Sequence, residues 1–419
     1  MQIKSFRFNL QELGGAFGDL GTLLPLMVAL ILINGLNTTA VLLGVGLFYV
    51  ASGLYYRVPT PVQPLKAVAA ISISLGLSAS VIGAAGLIMG AILLILSMTN
   101  FIHIVVKLFP QAVIRGIQLS IGLTLLRKGI EIAFQRQTFL ISSTQSWLGQ
   151  FPIGIFLAVV ALLIFFLFEF YFRRRGSGFP SSLALLTFGL TTGVILVNNI
   201  PVVALVTPAL PLVTFPNARD LWLALTVLVI PQLPLTLGNA VVGMRDTAGL
   251  YFQDRARRVT PRALTTSMGL ANLAASFFGA MPMCHGSGGL TAHYKLGART
   301  GAANLMIGGL FILFALLFGP VALSLFSLIP LSVLGTLLVI VGVYHASLIS
   351  DLKENKQLVI ATVVAVCTIF LGNLAYGFGA GILLHGLLLF IQRGLISPRT
   401  LANEWTSRKP LNSDIRISE

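Results

Sequence analysis

Long runs of apolar residues recur from end to end of the chain, separated by short polar breaks or by breaks rich in proline and glycine. A helix needs roughly 20 predominantly apolar residues to span a bilayer, and most of these runs approach that length. We predict about fourteen segments, at 13–33, 38–56, 62–79, 81–99, 111–126, 151–171, 182–199, 221–241, 264–278, 282–298, 302–320, 325–345, 357–372 and 375–392. The pattern therefore predicts an all-α polytopic membrane protein.

The interruptions of these segments occupy corresponding places in the two halves of the chain. The basic loop 243–263 divides the chain into seven segments and seven. Segments 1 and 3 carry FGDLGTLLPL and VPTPVQPLKAVAA, and segments 8 and 10 carry IPQLPLTLGNAVVG and FGAMPMCHGSGGLTAHY. Because seven is odd, the second half would run with the opposite topology. Paired interruptions in an inverted repeat indicate the binding site of a transporter.

Segment 3 contains three prolines, Pro59, Pro61 and Pro64. Proline lacks an N–H and drives the preceding residue toward an extended conformation. We therefore predict an extended stretch over 58–62. A half-helix would follow near Gln63, with Pro64 in its first turn, where proline is tolerated.

Segment 10 has the same design. Residues 281–284 are predicted to be extended, and the glycine-rich stretch 285–289 is predicted to open a half-helix through 296. Irregular backbone at membrane depth persists only where protein covers it or where it lines a wet cavity. The two half-helices would enter from opposite sides, so that their N-termini face each other.

Two facing helix N-termini predict an anion site, because each offers unpaired N–H donors and about half a positive charge. Neutral hydrogen-bonding side chains on the interrupted segments suit an oxyanion that must be released again. The residues predicted to contact the substrate are Gln63, Pro64, Lys66, Cys284, His285, Gly286, Ser287, Gly288, Thr22, Gln232 and Asn239.

Asp19 and Lys66 are the two clearest charges inside the predicted spans, and each is a functional candidate by default. Lys66 could add positive potential near the anion. Alternatively, the two side chains could form an ion pair that only holds segments 1 and 3 together. A role for Asp19 in proton coupling is a hypothesis that rests on its depth.

His285 follows Cys284 directly, and adjacent residues on a helix do not face each other, so a catalytic Cys–His pair is not expected. With five histidines and no suitable ligand spacing, the sequence predicts neither a metal site nor a cofactor, and no enzyme activity. We expect His285 to donate into the cavity, with a purely structural role as the alternative. Both cysteines are expected to be free thiols.

The formal net charge is +15, yet only 9% of residues are charged. The basic residues lie in short loops between spans, and one side receives only Arg127, Lys128, Arg136 and Arg219. This asymmetry is the positive-inside pattern, so we predict no nucleic-acid partner. It predicts both termini in the cytoplasm, no cleavable signal peptide, and a short cytoplasmic tail over 393–419 with no soluble domain.

Three stretches resemble the molybdate transporter family, which is related to the sulfate permeases: PVQPLKAVAA at 61–70, FGAMPMCHGSGGLTAHYKLGARTG at 278–301 and FGDLGTLLPL at 17–26. The chain differs from the family pattern at Leu65, where Met is usual, and at Ser287, where Ala is common. The resemblance implies molybdate uptake by a 7+7 inverted repeat. It also implies a substrate-carrying core over 13–100 and 221–320, and a gate over 111–199 and 325–392.

Several alternatives remain beside molybdate uptake by alternating access. The same scaffold could carry sulfate, tungstate or another oxyanion, and an anion channel is a further alternative. A nucleobase is disfavoured, because segment 10 has no carboxylate to bind the ring. The lipid bilayer, in a plasma (inner) membrane, is the expected environment, and a homodimer is left open.

Overall fold

The computed structural model describes residues 6–99, 109–135, 137–139, 153–175, 181–197 and 216–395. Within these ranges the chain forms fourteen helices and two very short strands. They are α1 Leu10–Asn34, α2 Thr38–Tyr56, β1 Gln63–Pro64, α3 Lys66–Leu75, α4 Ala79–Met98, α5 Gln111–Ala133, α6 Ile153–Arg175, α7 Ser181–Leu196, α8 Ala218–Ala256, α9 Pro261–Phe277, β2 Met283–Cys284, α10 Ser287–Lys295, α11 Ala302–Ser327, α12 Leu331–Ser347, α13 Asn355–Leu371 and α14 Leu374–Leu395.

Each of the fourteen predicted segments overlaps one of these helices, so the all-α prediction is confirmed. In the described part of the chain, eight helices are long and apolar enough to cross a membrane. The helices α3 and α10 have 10 and 9 residues, which is too short for a span of roughly 20. They are the two predicted half-helices. The predicted tail beyond residue 395 lies outside the described residues.

Both half-helices begin later than predicted. The helix α3 starts at Lys66, because Gln63 and Pro64 remain extended and form β1. The helix α10 starts at Ser287, because Met283 and Cys284 form β2. An extended residue before proline is sterically favoured, and the pairing of the two strands then satisfies backbone groups that a longer helix would have satisfied itself.

Segment 8 is not interrupted in the way that its prolines predicted. The helix α8 continues through Pro231 and Pro234, and wide π-helical turns flank them at Ala224–Val229 and Thr236–Gly243. A π turn accommodates a residue whose ring would collide with the preceding turn of an α-helix. The helix also runs on past residue 243 to a final 3₁₀ turn at Gln253–Ala256, so much of the predicted loop is helical.

The packing follows the inverted repeat. The helix α2 packs on α11, and α4 packs on α9. In the second repeat the counterparts of α2 and α4 are α9 and α11, so the repeat relates one of these two helix pairs to the other. Both crossings rely on glycine. A Cβ on Gly46 would lie 2.8 Å from the carbonyl oxygen of Gly308, and a Cβ on Gly90 would lie 3.0 Å from that of Gly269. Close backbone approach through small residues is the usual basis of helix packing in membranes.

The crossing of α2 and α11 generates a stability prediction with a control at the next residue. We expect Gly308→Val to destabilise the protein by about 1–3 kcal/mol, because its side chain would overlap the backbone of Gly46. Gly309→Val should be nearly neutral, since nothing lies within 4 Å of a Cβ there. Thermal unfolding of the purified variants measures the difference, and equal melting temperatures would contradict the close-packed crossing.

Candidate functional site

The two short strands place the starts of the half-helices side by side. They pair antiparallel, with Gln63 opposite Cys284 and Pro64 opposite Met283. The amide of Leu65 adds a hydrogen bond of 3.0 Å to the carbonyl of Pro282. Because the strands are antiparallel, α3 and α10 leave this point in opposite directions. The predicted meeting of two half-helix starts is therefore present, and it is joined by backbone hydrogen bonds.

Two buried asparagines complete the backbone hydrogen bonding around the strands. Asn272 of α9 accepts from the amide of Met283 at 2.7 Å and donates to its carbonyl at 2.9 Å. Asn304 of α11 accepts from the amide of Thr60 at 2.9 Å and donates to its carbonyl at 2.6 Å. Each side chain acts as a missing strand neighbour. Sequence reasoning did not select them, although an amide side chain in an apolar span was a usable signal.

The N-terminus of α3 is already occupied by a side chain. Gln232 of α8 accepts through its Oε1 from the amides of Ala67 at 2.8 Å and Val68 at 3.4 Å. Its Nε2 donates to the hydroxyl of Thr236 at 2.9 Å. Gln232 was predicted to donate to the substrate, but its contacts make it a cap for α3. Two of the donors expected at this helix start, the amides of Ala67 and Val68, are therefore not available to a ligand.

The N-terminus of α10 remains open. Its first helical hydrogen bond runs from the Leu290 amide to Gly286, so the amides of residues 287–289 have no backbone acceptor among the described residues. Gly288 is exposed, with nothing within 4 Å of a Cβ at that position. The Ser287 hydroxyl donates to Asn239 Oδ1 at 2.6 Å. This terminus has the unpaired donors and the access that an anion requires.

Asp19 lies beside this open helix terminus. Its Oδ1 accepts from Gln63 Nε2 at 2.5 Å. A Cβ on Gly289 would come within 2.7 Å of the same carboxylate. Two buried oxygens, Asp19 Oδ2 and Gln63 Oε1, have no hydrogen-bond partner among the described residues. Gln63 is itself buried, so it lies behind the open terminus and orients Asp19, while Asp19 faces the first turn of α10.

Lys66 makes no ion pair with Asp19. The ion pairs within the described residues are Arg115–Asp351 and Lys128–Glu131, and the Lys66 ammonium also has no hydrogen-bond partner there. The interpretation of a locking pair between segments 1 and 3 is therefore wrong. A cation in the first turn of a helix opposes the helix dipole, so its position favours a role toward an anion.

His345 of α12 is buried, and its Nδ1 hydrogen-bonds to the Val341 carbonyl at 2.9 Å. Its buried Nε2 has no partner among the described residues.

His285 does not face the open terminus. Its ring is buried, with Nδ1 2.8 Å from the Pro61 carbonyl and Nε2 3.0 Å from the Ser267 hydroxyl. A carbonyl only accepts, so Nδ1 carries the proton, and neither nitrogen is left to donate to a substrate. The Phe48 and Tyr56 rings pack around it. Of the two interpretations of His285, these contacts favour the structural one.

The remaining predicted residues form the walls of this region. Cys284 is buried, with its Sγ 3.7 Å from the carbonyl of Pro64. Gly286 is required by space, because a Cβ there would overlap Gln63 Oε1. Thr22 is half-buried, one turn beyond Asp19, and its hydroxyl has no hydrogen-bond partner in the described part of the chain.

The fold is that of inverted-repeat membrane transporters. The transmembrane domain of a cyanobacterial bicarbonate transporter, BicA, aligns with a TM-score of 0.63 at 17% identity, over 91% of this chain and 100% of that one. The structure of SLC26A9 aligns with a TM-score of 0.66 at 16% identity, over 94% of this chain and 66% of that one. The chain is an integral membrane protein with the fold of these transporters.

Sequence comparison gives the family. The profile described as "Molybdate transporter of MFS superfamily" matches residues 11–125 and 224–344. Molybdate transporter 2 of Arabidopsis thaliana is 31% identical over 90% of this chain and 87% of its own. Molybdate transporter 1 of Chlamydomonas reinhardtii is 28% identical over 88% and 90%. The chain belongs to the molybdate transporter family, as the resemblance of its motifs predicted.

The asparagine that supports β2 generates a second prediction. We expect Asn272→Leu to destabilise the protein by about 2 kcal/mol or more, because it leaves the amide and carbonyl of Met283 buried without partners. Ser276→Ala on the same helix is the control, since its hydroxyl only bonds to the Asn272 carbonyl within the helix. Thermal unfolding distinguishes the two, and an unchanged melting temperature for Asn272→Leu would contradict this role.

Proposed function

We propose that this protein takes up molybdate as a secondary carrier and has no enzyme activity. The observation that carries the proposal is the open N-terminus of α10, with its three unpaired amides, beside the unpaired cation of Lys66. The family and its relatives support molybdate as the oxyanion. Sulfate has the same charge and the same tetrahedral shape, so the substrate assignment rests on those relatives.

In this proposal the dianion binds to the backbone amides of 287–289, with Lys66 supplying the opposite charge. The free hydroxyl of Thr22 is a further donor, and Asn239 holds the Ser287 side chain in place. Gln232, Gln63 and His285 act from behind, because their polar atoms are occupied or buried. Dipoles and a single cation bind an oxyanion without an irreversible network of ion pairs.

Transport would proceed by motion of the core, 13–100 and 221–320, against the gate, 111–199 and 325–392. The packing supports this division. Within the proposed core α2 packs on α11 and α4 on α9, and within the proposed gate α5 packs on α12 and α13. The helices α1, α3 and α8 also pack against gate helices. Alternating access of this kind is typical of inverted-repeat carriers.

We place the protein in a plasma (inner) membrane, with both termini on the cytoplasmic side. The positive-inside rule supports this orientation. Arg57 ends α2, and the connection between α8 and α9 carries Arg257 and Arg258. Fourteen segments also return the chain to the side on which it started.

Binding to the purified protein tests the site and the substrate together. We expect molybdate to bind more tightly than sulfate, and Lys66→Gln to weaken molybdate binding at least about tenfold, since a charge-assisted contact is worth roughly 1.5–3 kcal/mol. Lys356→Gln is the control, because Lys356 is exposed at the start of α13. Isothermal titration with molybdate, tungstate and sulfate measures these affinities.

Two results would contradict the proposal in different ways. Equal affinities for the three oxyanions would defeat the assignment of molybdate. Unchanged molybdate affinity in Lys66→Gln would defeat the placement of the site, whatever the substrate is.

We propose that oxyanion transport is coupled to protons through Asp19. An ionised carboxylate beside the α10 terminus would repel an incoming dianion at the same terminus. A protonated Asp19 would not, and its Oδ2 could then donate a hydrogen bond instead of lying unpaired. Binding of the oxyanion and protonation of Asp19 would therefore favour each other, which is the thermodynamic basis of symport.

Replacement of the carboxylate tests this coupling. We expect wild-type uptake into proteoliposomes to rise as the external pH falls, because protonation of Asp19 favours binding of the anion. Asp19→Asn should bind molybdate with little dependence on pH and should lose the stimulation of uptake by a proton gradient. Persistence of the wild-type pH profile in Asp19→Asn would exclude Asp19 as the coupling group.

A further inference from the structure

A long apolar groove lies between α2 and α9, on the outer face of the protein. Its volume is about 790 Å³, and its lining includes Ala40 at one end of α2 and Tyr56 at the other. At about 1.5 Å per residue, these ends are about 24 Å apart, which is most of the roughly 30 Å hydrocarbon core. The groove therefore runs along α2 and has the length of an extended lipid chain.

The walls of the groove are largely apolar. Leu47 and Leu270 lie on its two sides with 58% and 57% exposure. Gly44, Ala271 and Ala274 are small and leave the space between them open. Among the described residues that line the groove, none is acidic. A concave, mostly apolar surface is typical of a ligand site.

The groove is distinct from the proposed oxyanion site and lies behind it. Met283 of β2 and Ser267 of α9 line its floor. The Ser267 hydroxyl is the group that meets His285, and Tyr56 bonds to the same hydroxyl at 2.8 Å. A ligand in the groove would contact Met283 and Ser267, which lie next to the start of α10.

One end of the groove is strongly basic. Arg262 lines it, and Arg57 and Arg257 are exposed nearby on the chain segments that close that end. The side chains of these three arginines have no hydrogen-bond or ion-pair partner among the described residues. Arg258 is different, because it donates to the Tyr55 carbonyl at 2.8 Å and so ties the end of α2 to the start of α9.

A buried hydroxyl lies one turn deeper than the arginines. Ser52 of α2 lines the groove, is 2% exposed, and its Oγ has no partner in the described part of the chain. An unpaired hydroxyl in an apolar wall costs free energy unless a ligand supplies an acceptor. The ester carbonyls of a glycerophospholipid lie between its phosphate and its chains, which is the depth at which Ser52 is found.

We propose that this groove is a binding site for an anionic phospholipid. The phosphate and the acidic head group would lie at Arg262 with Arg57 and Arg257, an ester carbonyl would accept from Ser52, and one acyl chain would fill the groove. Basic clusters beside a membrane-embedded surface attract anionic lipids in this way. A second copy of this chain fits less well, because its corresponding end would bring further arginines to the contact.

Native mass spectrometry of the delipidated full-length protein tests the site. The probes are phosphatidylglycerol and phosphatidylcholine with identical acyl chains. We expect one phosphatidylglycerol per protomer to be retained at least about fivefold more strongly than phosphatidylcholine, and Arg262→Gln to reduce this preference by a similar factor. Arg245→Gln, which changes an exposed arginine outside the groove, should keep the preference.

A second pair of variants tests the groove rather than its charge. Ala274→Trp fills the groove from an exposed wall position and should abolish the retention of phosphatidylglycerol. Ala91→Trp places the same bulk on an exposed face of α4 outside the groove and should not. Thermal unfolding reports whether each of the four variants is folded, independently of lipid and of molybdate.

The proposal fails on any of three results. The first is equal retention of the two lipids by the wild type, and the second is a phosphatidylglycerol preference that survives both Arg262→Gln and Ala274→Trp. The third is a lipid-free dimer that Ala274→Trp disrupts, which would assign the groove to a second copy of the chain. None of these results bears on molybdate binding, so the proposed function is tested separately.

Discussion

The need to hydrogen-bond irregular backbone inside a membrane is the constraint on which the rest of this structure depends. Four prolines around the two strands remove donors and break both half-helices, at a depth where water cannot replace the lost partners. The strands therefore pair with each other, Asn272 and Asn304 act as strand neighbours, and Gln232 caps α3. The strand pairing, the Asn304 contacts and the Gln232 cap join distant parts of the sequence, so these hydrogen bonds satisfy the backbone and also bring the two repeats together. Asn272 acts within its own repeat.

The consequence for function is an asymmetry at the centre of a symmetric fold. The two half-helices are related by the repeat, yet one N-terminus is capped by Gln232 and the other is open. A fully capped pair would be more stable and would have no donors to offer. The open terminus of α10 and the orphaned oxygen of Asp19 cost stability in the absence of a ligand, and they lie together. Lys66, at the start of α3, has no ion-pair partner among the described residues. These unsatisfied groups favour the oxyanion site that we propose.

Hydrogen bonds also connect the buried residues that lie next to the proposed site. Gln63 orients Asp19, His285 links the strand region to α9 through Ser267, and Tyr56 extends that chain to α2. The groove proposed for a lipid ends on these same residues. A lipid in the groove and the substrate would then contact opposite sides of one short segment, residues 283–287, which runs from β2 to the first residue of α10.

The sequence alone determined the number, kind and order of the elements, because apolar run length and the backbone limits of proline are local properties. All fourteen segments and the two half-helices followed from them, and the motifs indicated the family. Only the tertiary structure decided which polar group meets which. Gln232 proved to be a cap, His285 a buried link and Lys66 an unpaired charge, while Asn272 and Asn304 were overlooked. These roles depend on partners as many as 244 positions apart, and no local pattern specifies which of several polar side chains will reach a given backbone group once the helices pack.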